Sequence, residues 1–188
     1  GLSPDKKTIL VVGGSLGART INRSIQGDLD KLFASDVDVQ VIWQTGRYYH
    51  EEALKHLKAY RGMPIWCSDF ITRMDYAYAA ADLIISRAGA SSISELCLLK
   101  KPVILVPSPN VAENHQYHNA MVLANHKAAV VIEEKDLTGE KLVAAVKEMT
   151  ADPEKLREIS LAAKALGVPN ACGHITDELL DLYKTHRK

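Results

Sequence analysis

Thr8-Ile9-Leu10-Val11-Val12-Gly13-Gly14-Ser15-Leu16-Gly17-Ala18-Arg19 is a short, β-rich apolar run that ends in a glycine-rich turn. Such a run is what a strand buried on both faces of a parallel sheet looks like. A helical pattern follows from about Ala18 to Phe33, with Ile21, Ile25, Leu29 and Leu32 at helical spacing. Glycines between strand and helix let the backbone approach a phosphate closely, and the helix start offers unpaired N–H groups at the positive end of its dipole. The turn is neither GxGxxG nor a P-loop, because no Lys-Ser/Thr follows. A tight strand-to-helix turn needs the same glycines for steric reasons alone, so this stretch leaves both readings open.

The alternation continues outward from this unit. Strands are predicted over Val37 to Trp43, Pro64 to Cys67, Leu83 to Ser86, Pro102 to Val106 and Ala128 to Ile132. Helices are predicted between them, over Tyr49 to Tyr60, Met74 to Ala81, Ser92 to Leu99 and His115 to Asn125. From Thr138 only helices appear, over Thr138 to Met149, Pro153 to Leu166 and about Cys172 to Thr185. Six short apolar strands alternating with helices require a parallel sheet covered on both faces, joined by right-handed crossovers. The expected fold is α/β: one Rossmann-like, doubly wound parallel sheet of about six strands.

Composition narrows the function classes. The chain has 188 residues, and its 23 Lys and Arg balance 23 Asp and Glu. A nucleic-acid binder would carry a basic surplus, and a disordered chain would not be 47% hydrophobic with mixed charges. No apolar run approaches the roughly 20 residues that span a bilayer, and GLSPDKK does not read as a signal peptide. Cys67, Cys97 and Cys172 lack CxxC or CxH spacing, which argues for buried or inert thiols in a reducing compartment and against zinc. His50, His56, His126, His174 and His186 show no ligand spacing and read as surface residues.

In a doubly wound sheet ligands bind outside the carboxyl ends of the strands, so the loops after the strands are the candidate sites. Ser86-Arg87-Ala88-Gly89-Ala90-Ser91-Ser92-Ile93-Ser94-Glu95 ends a strand, turns through small residues and opens a helix with hydroxyls. That turn can set N–H groups and hydroxyls on a pyrophosphate, and Glu95 can accept from the vicinal hydroxyls of a ribose. Ser92-Ile93-Ser94-Glu95 also fits the S-x-x-E capping box, and a carboxylate turned back to its own N-cap is aimed away from a ligand. The irregular stretch from Pro107 leads into Glu113-Asn114-His115-Gln116-Tyr117-His118-Asn119. Gln116 and Asn119 share a helix face, and amides both donate and accept, which suits sugar hydroxyls. The segment also reads as no more than a polar helix start.

Three motifs occur in one order: Gly13-Gly14-Ser15-Leu16-Gly17-Ala18-Arg19, Ala81 to Glu95, and His115-Gln116-x-x-Asn119-Ala120. Together they closely resemble the C-terminal half of the peptidoglycan N-acetylglucosaminyltransferases of glycosyltransferase family 28, from about Lys7 to Leu182. The resemblance implies a GT-B fold, in which two Rossmann-like domains face a cleft. Residues 1–188 would be the single C-terminal domain that binds UDP-GlcNAc. The N-terminal acceptor domain, with its Gly-rich loops, the general base and the membrane groove, would lie outside the sequence. By resemblance, Ser15 contacts the donor phosphates. Phe70 and Ile71, the latter through its backbone, contact uracil, with Met74 packed nearby. The loop Ala90, Ser91, Ser92, Ile93, Ser94 and Glu95 holds the nucleotide sugar, with Ser92 near phosphate, Ala90 near the sugar and Glu95 on the ribose. His115, Gln116 and Asn119 contact GlcNAc hydroxyls.

The implied reaction is inverting transfer of GlcNAc from UDP-GlcNAc to undecaprenyl-pyrophosphoryl-MurNAc-pentapeptide, the lipid-linked acceptor of peptidoglycan synthesis. No catalytic residue, metal or cofactor is expected within this half, and no nucleic acid. Arg19 and Arg87 can add charge near the leaving pyrophosphate. The implied location is cytoplasmic, with the longer protein peripheral on the cytoplasmic face of the bacterial inner membrane. Competing readings are another GT-B nucleotide-sugar enzyme, such as an epimerase or glycolipid glycosyltransferase, and a UDP-sugar binding module without chemistry.

Overall fold

A computed structural model describes residues 2–34 and 38–186. In chain order the elements are β1 (Lys7–Val12), α1 (Arg19–Gly27), α2 (Leu29–Phe33), β2 (Val39–Gln44), α3 (His50–Leu57), β3 (Ile65–Ser68), α4 (Met74–Ala80) and β4 (Leu83–Ser86). They continue with α5 (Ala90–Leu99), β5 (Val103–Leu105), α6 (His115–Asn125), β6 (Val130–Val131), α7 (Gly139–Ala151), α8 (Pro153–Leu166) and α9 (Ala171–Thr185). The six strands form one parallel sheet in the order β3-β2-β1-β4-β5-β6. The expected α/β sheet is therefore present. Val37, the expected first residue of the second strand, lies outside the described residues.

Strand order reverses between β1 and β4, which opens a crevice at their carboxyl ends. Register carries one row across the sheet through Ser68, Gln44, Val12, Ser86, Leu105 and Val131. The loops that follow therefore emerge level, along one edge.

Alternating residues feed two cores. Ile9, Val11, Val41, Trp43 and Leu83 meet Ile21 and Ile25 of α1 and Leu142 and Val146 of α7. Leu10, Ile42, Ile84 and Leu105 meet Ala77 of α4, Leu96 of α5, Leu123 of α6 and Ala163 of α8 on the opposite face. Burying each large aliphatic or aromatic side chain contributes about 1.5–3 kcal/mol. The Trp43 indole is fully buried and donates to Asn22 Oδ1 at 3.0 Å, while Asn22 Nδ2 donates to the Thr45 carbonyl at 2.7 Å. These bonds fix the start of α1 against the end of β2.

Four expectations need correction. The helix expected from Ala18 to Phe33 breaks at Asp28, which has φ −136° and ψ 25°. Gly27 and Asp28 are both poor helix formers, and Leu29 and Leu32 keep their burial by restarting as α2. Helix α5 starts at Ala90 rather than Ser92. Cys97 is buried and Cys67 half-buried, whereas Cys172 is exposed. His50 and His56 are half-buried rather than at the surface, with His50 Nδ1 3.2 Å from the Thr45 hydroxyl. Among the described residues no helix is long and apolar enough to cross a membrane.

Candidate functional site

The turn between β1 and α1 holds its glycines for two different reasons. Gly17 has φ 84°, and a Cβ there would lie 2.1 Å from the Thr45 carbonyl oxygen. Close packing alone excludes any side chain. Gly14 has φ 86° but faces open space, so only its left-handed backbone demands glycine. Ser15 stands exposed at the tip. Among the described residues, α1, α5 and α6 lack both a side-chain cap and an acidic residue in the first turn. The same is true of α9, whereas Thr138 caps α7 and Asp152 caps α8. The starts of α1 and α5 thus keep unpaired N–H groups at one edge, whereas the first N–H of α6, on His115, already donates to the Ala112 carbonyl.

The second loop decides the role of Glu95. Gly89, with φ −68° and ψ 147°, is the N-cap of α5, which makes Ser92 the third helical residue and Glu95 the sixth. A capping box needs its serine outside the helix, so Ser92-Ile93-Ser94-Glu95 does not form one. Glu95 Oε2 instead accepts from the Tyr78 hydroxyl of α4 at 3.0 Å. Burial, then the Glu95 carboxylate, holds the Tyr78 phenol protonated well above its usual range. Ala90 and Ser91 are exposed at the helix start. The Ser94 hydroxyl donates to the Ala90 carbonyl at 2.9 Å, which turns it away from a ligand. Ile93 packs against the second core, so its side chain is structural and only its backbone faces the loop.

The third motif braces the second. Gln116 Oε1 accepts from the Ser108 N–H at 2.9 Å and the Ala88 N–H at 3.3 Å. Two donors on one atom fix the amide's orientation and leave the –NH2 end pointing elsewhere. Among the described residues that nitrogen has no hydrogen bond. Asn119 Nδ2 donates to the Ala88 carbonyl at 3.2 Å, so the two amides grip both ends of one residue. His115 is exposed, with Nδ1 3.0 Å from the Ala112 carbonyl. Glu113 and Asn114 just before it adopt left-handed backbones, at φ 51° and 50°.

Beside β3, Phe70 is exposed and lines an apolar groove of about 480 Å³ with Trp66, Ile71 and Tyr76. The Ile71 side chain is buried, and its N–H donates to Gln44 Oε1 at 2.9 Å. Only its carbonyl remains for a ligand. Met74 is half-buried against the second core. Gln44 Nε2 also donates to the Gly14 carbonyl at 3.1 Å, which ties the β1 turn to the segment after β3. Arg87 is ion-paired with Glu134 and donates to the Val106 carbonyl at 3.1 Å, so its charge is already engaged. Arg19 is exposed and lines a polar cavity of about 710 Å³ with Arg23.

Sequence reasoning missed Gln44 and Tyr78. The signal for Gln44 was an amide directly after the apolar Val41-Ile42-Trp43 at the carboxyl end of a strand. For Tyr78 it was a large polar-tipped ring four residues after Met74 in an Ala-rich helix.

Comparison with known proteins gives the family. Residues 8–175 match the glycosyltransferase family 28 C-terminal domain. The UDP-N-acetylglucosamine--N-acetylmuramyl-(pentapeptide) pyrophosphoryl-undecaprenol N-acetylglucosamine transferase of Parabacteroides distasonis is 66% identical over 182 residues, covering 97% of this chain and 49% of that protein. The chain spans about half the length of the curated relatives it matches. Crystalline MurG of Acinetobacter baumannii superposes with TM-score 0.81 at 30% identity, over 94% of this chain and 52% of that one. A putative UDP-N-acetylglucosamine 2-epimerase from Listeria monocytogenes superposes at TM-score 0.69 over 96% of this chain and 46% of that one; at 14% identity it shares the fold alone. With the glycine turn, the small-residue loop and the amide pair set along one sheet edge, and nearly the whole chain matched, the protein belongs to the family of glycosyltransferase family 28 C-terminal domains.

Proposed function

We propose that this chain is the UDP-GlcNAc-binding half of an inverting N-acetylglucosaminyltransferase acting on a lipid-linked muramoyl-pentapeptide acceptor. The names of the matched relatives support this reading. The observation that carries it is the release of Glu95 from any capping role, beside uncapped helix starts and a free carboxamide donor on Gln116. Phe70 and the Ile71 carbonyl meet uracil, Glu95 the ribose, Ser15 and the starts of α1 and α5 the pyrophosphate, and Gln116 the sugar. Ala90, Ser91 and Ser92 bound the phosphate and sugar by backbone and hydroxyl, with His115 at the rim. Asn119 acts through Ala88.

In the transfer, the acceptor 4-hydroxyl attacks the anomeric carbon from the face opposite UDP, and charge builds on the departing pyrophosphate. Preorganised N–H groups and hydroxyls stabilise that charge without reorganising. By this reading the base, the acceptor site and the membrane contact are supplied outside this chain.

Calorimetric titration of the chain with UDP-GlcNAc, UDP-GalNAc and UDP tests the reading. Binding of uridine nucleotides is expected, and Glu95→Gln weakens it by about 1.5–3 kcal/mol while the apo melting temperature barely moves. No binding at millimolar nucleotide, or an affinity unchanged by Glu95→Gln, overturns it.

A further inference from the structure

We propose that Tyr78 is a positioning residue that holds the Glu95 carboxylate ready for the ribose diol of the nucleotide, an inference that rests on the ribose reading of Glu95 above. Glu95 is exposed on α5 and sits beyond that helix's first turn, so neither packing nor the helix start orients it. A free glutamate of this kind samples many rotamers, and each must be given up on binding. Tyr78 supplies the constraint from a neighbouring element. Ala77 of α4 and Ala81 just beyond it are buried in the second core beside Ile84, and the small side chains let the helix lie close. Met74 and Tyr78, four residues apart, follow the same core-facing stripe. The Tyr78 ring is therefore half-buried and fixed, and its hydroxyl reaches Glu95 Oε2 at 3.0 Å.

The stoichiometry of lone pairs suits this role. A carboxylate offers about four acceptor positions on two oxygens. One hydrogen bond from Tyr78 occupies a single position on Oε2 and leaves Oε1 whole. Both ribose hydroxyls can still donate, so the tyrosine arranges the carboxylate without competing for it.

The test is a calorimetric comparison of UDP with 2′,3′-dideoxy-UDP, which lacks the diol, on the chain and on Tyr78→Phe, Glu95→Gln and the double variant. Tyr78→Phe keeps the ring and its packing. It is expected to weaken UDP about threefold to tenfold, the cost of ordering one long side chain, and to leave the dideoxy nucleotide unmoved. Glu95→Gln should abolish most of the preference for UDP, and Tyr78→Phe should add nothing in that background. Equal weakening of both nucleotides by Tyr78→Phe, or no change in either, overturns the positioning role while leaving Glu95 on the ribose. An intact UDP preference in Glu95→Gln removes the ribose reading itself, and the positioning role with it.

Discussion

Gln116 has two chemically different ends, and two substitutions separate them. Gln116→Ala deletes the oxygen that closes the Ser108 N–H at 2.9 Å and the Ala88 N–H at 3.3 Å. Each net hydrogen bond contributes about 0.5–1.5 kcal/mol, and the longer one belongs at the low end. Ser108 is half-buried, so water takes over some of its loss, whereas Ala88 is fully buried and its N–H is left without a partner. The domain should lose about 2 kcal/mol, which for a chain of this size lowers the melting temperature by about 4–8 °C. Gln116→Glu keeps an acceptor oxygen for both N–H groups and exchanges the –NH2 donors for a second, charged oxygen. Its melting temperature should stay within about 2 °C of the parent, because hydrogen bonds to a carboxylate are at least as strong. Its sugar recognition should fail. The added charge weakens UDP and UDP-GlcNAc alike, so the informative quantity is their affinity ratio, expected to fall by about 1–2 kcal/mol. Scanning calorimetry gives the first number and titration with the two ligands gives the second. If Gln116→Glu melts as low as Gln116→Ala and keeps the parent's ratio, the amide is only a clamp and its nitrogen never meets the sugar.

In a full-length relative carrying the same motif, replacing the residue equivalent to Gln116 by Ala should narrow kcat/KM preference for UDP-GlcNAc over UDP-GalNAc by about 1–2 kcal/mol, with UDP inhibition nearly unchanged. Gly17→Ala forces a methyl to 2.1 Å from the Thr45 carbonyl at a left-handed backbone, and chemical denaturation should show a loss of at least about 2 kcal/mol. Gln44→Ala frees the Ile71 N–H and the Gly14 carbonyl together, so stability should fall by about 2–3 kcal/mol and UDP binding should weaken with it in titration. Burial pushes the Cys67 thiol from 9.0 up to about 11, so the folded chain keeps a proton that the unfolded chain has lost between those values. Stability from this group is therefore full below pH 9 and declines as pH rises towards 11, and Cys67→Ala should flatten that alkaline limb of a denaturation series. Thiol-labelling kinetics should find exposed Cys172 reacting well before Cys67 or Cys97.

The fold was legible because strands covered on both faces must be apolar throughout, and Ile9 to Val11, Val41 to Trp43 and Leu83 to Ile85 are all largely or fully buried. Element boundaries were less so. Ser92 looks like a helix cap from sequence because Glu95 follows three residues later. Gly89 takes that position because its extended backbone lets the helix begin one turn earlier, on Ala90. The break at Asp28 was hidden by the continuing spacing of Leu29 and Leu32, since burial keeps its period across a change of helix. The ligand-facing loops were legible because a doubly wound sheet places them at one edge, whatever their composition.

The individual roles inside those loops were not legible, and the reason is chemical. Gln44 joins Gly14 to Ile71, and Gln116 joins Ala88 to Ser108, while Asn119 takes the other end of Ala88. Gln44 donates to one backbone segment and accepts from the other, Gln116 accepts from two N–H groups, and Asn119 donates to a carbonyl; a carboxamide can do each of these without charge, through two separate atoms. Recognising a sugar hydroxyl asks for the same two abilities. One residue type thus serves the brace and the ligand, and partners 8, 27, 28, 30 and 31 residues away decide which end does what. Sequence spacing reports only that an amide stands at the edge of the sheet. The tertiary contacts show that part of its bonding capacity is already committed to holding the loops, which leaves the ligand a prearranged surface and lowers the ordering cost of binding. At Gln116, whose brace runs through the oxygen alone, a substitution that preserves the brace and removes the free donor is therefore the informative one.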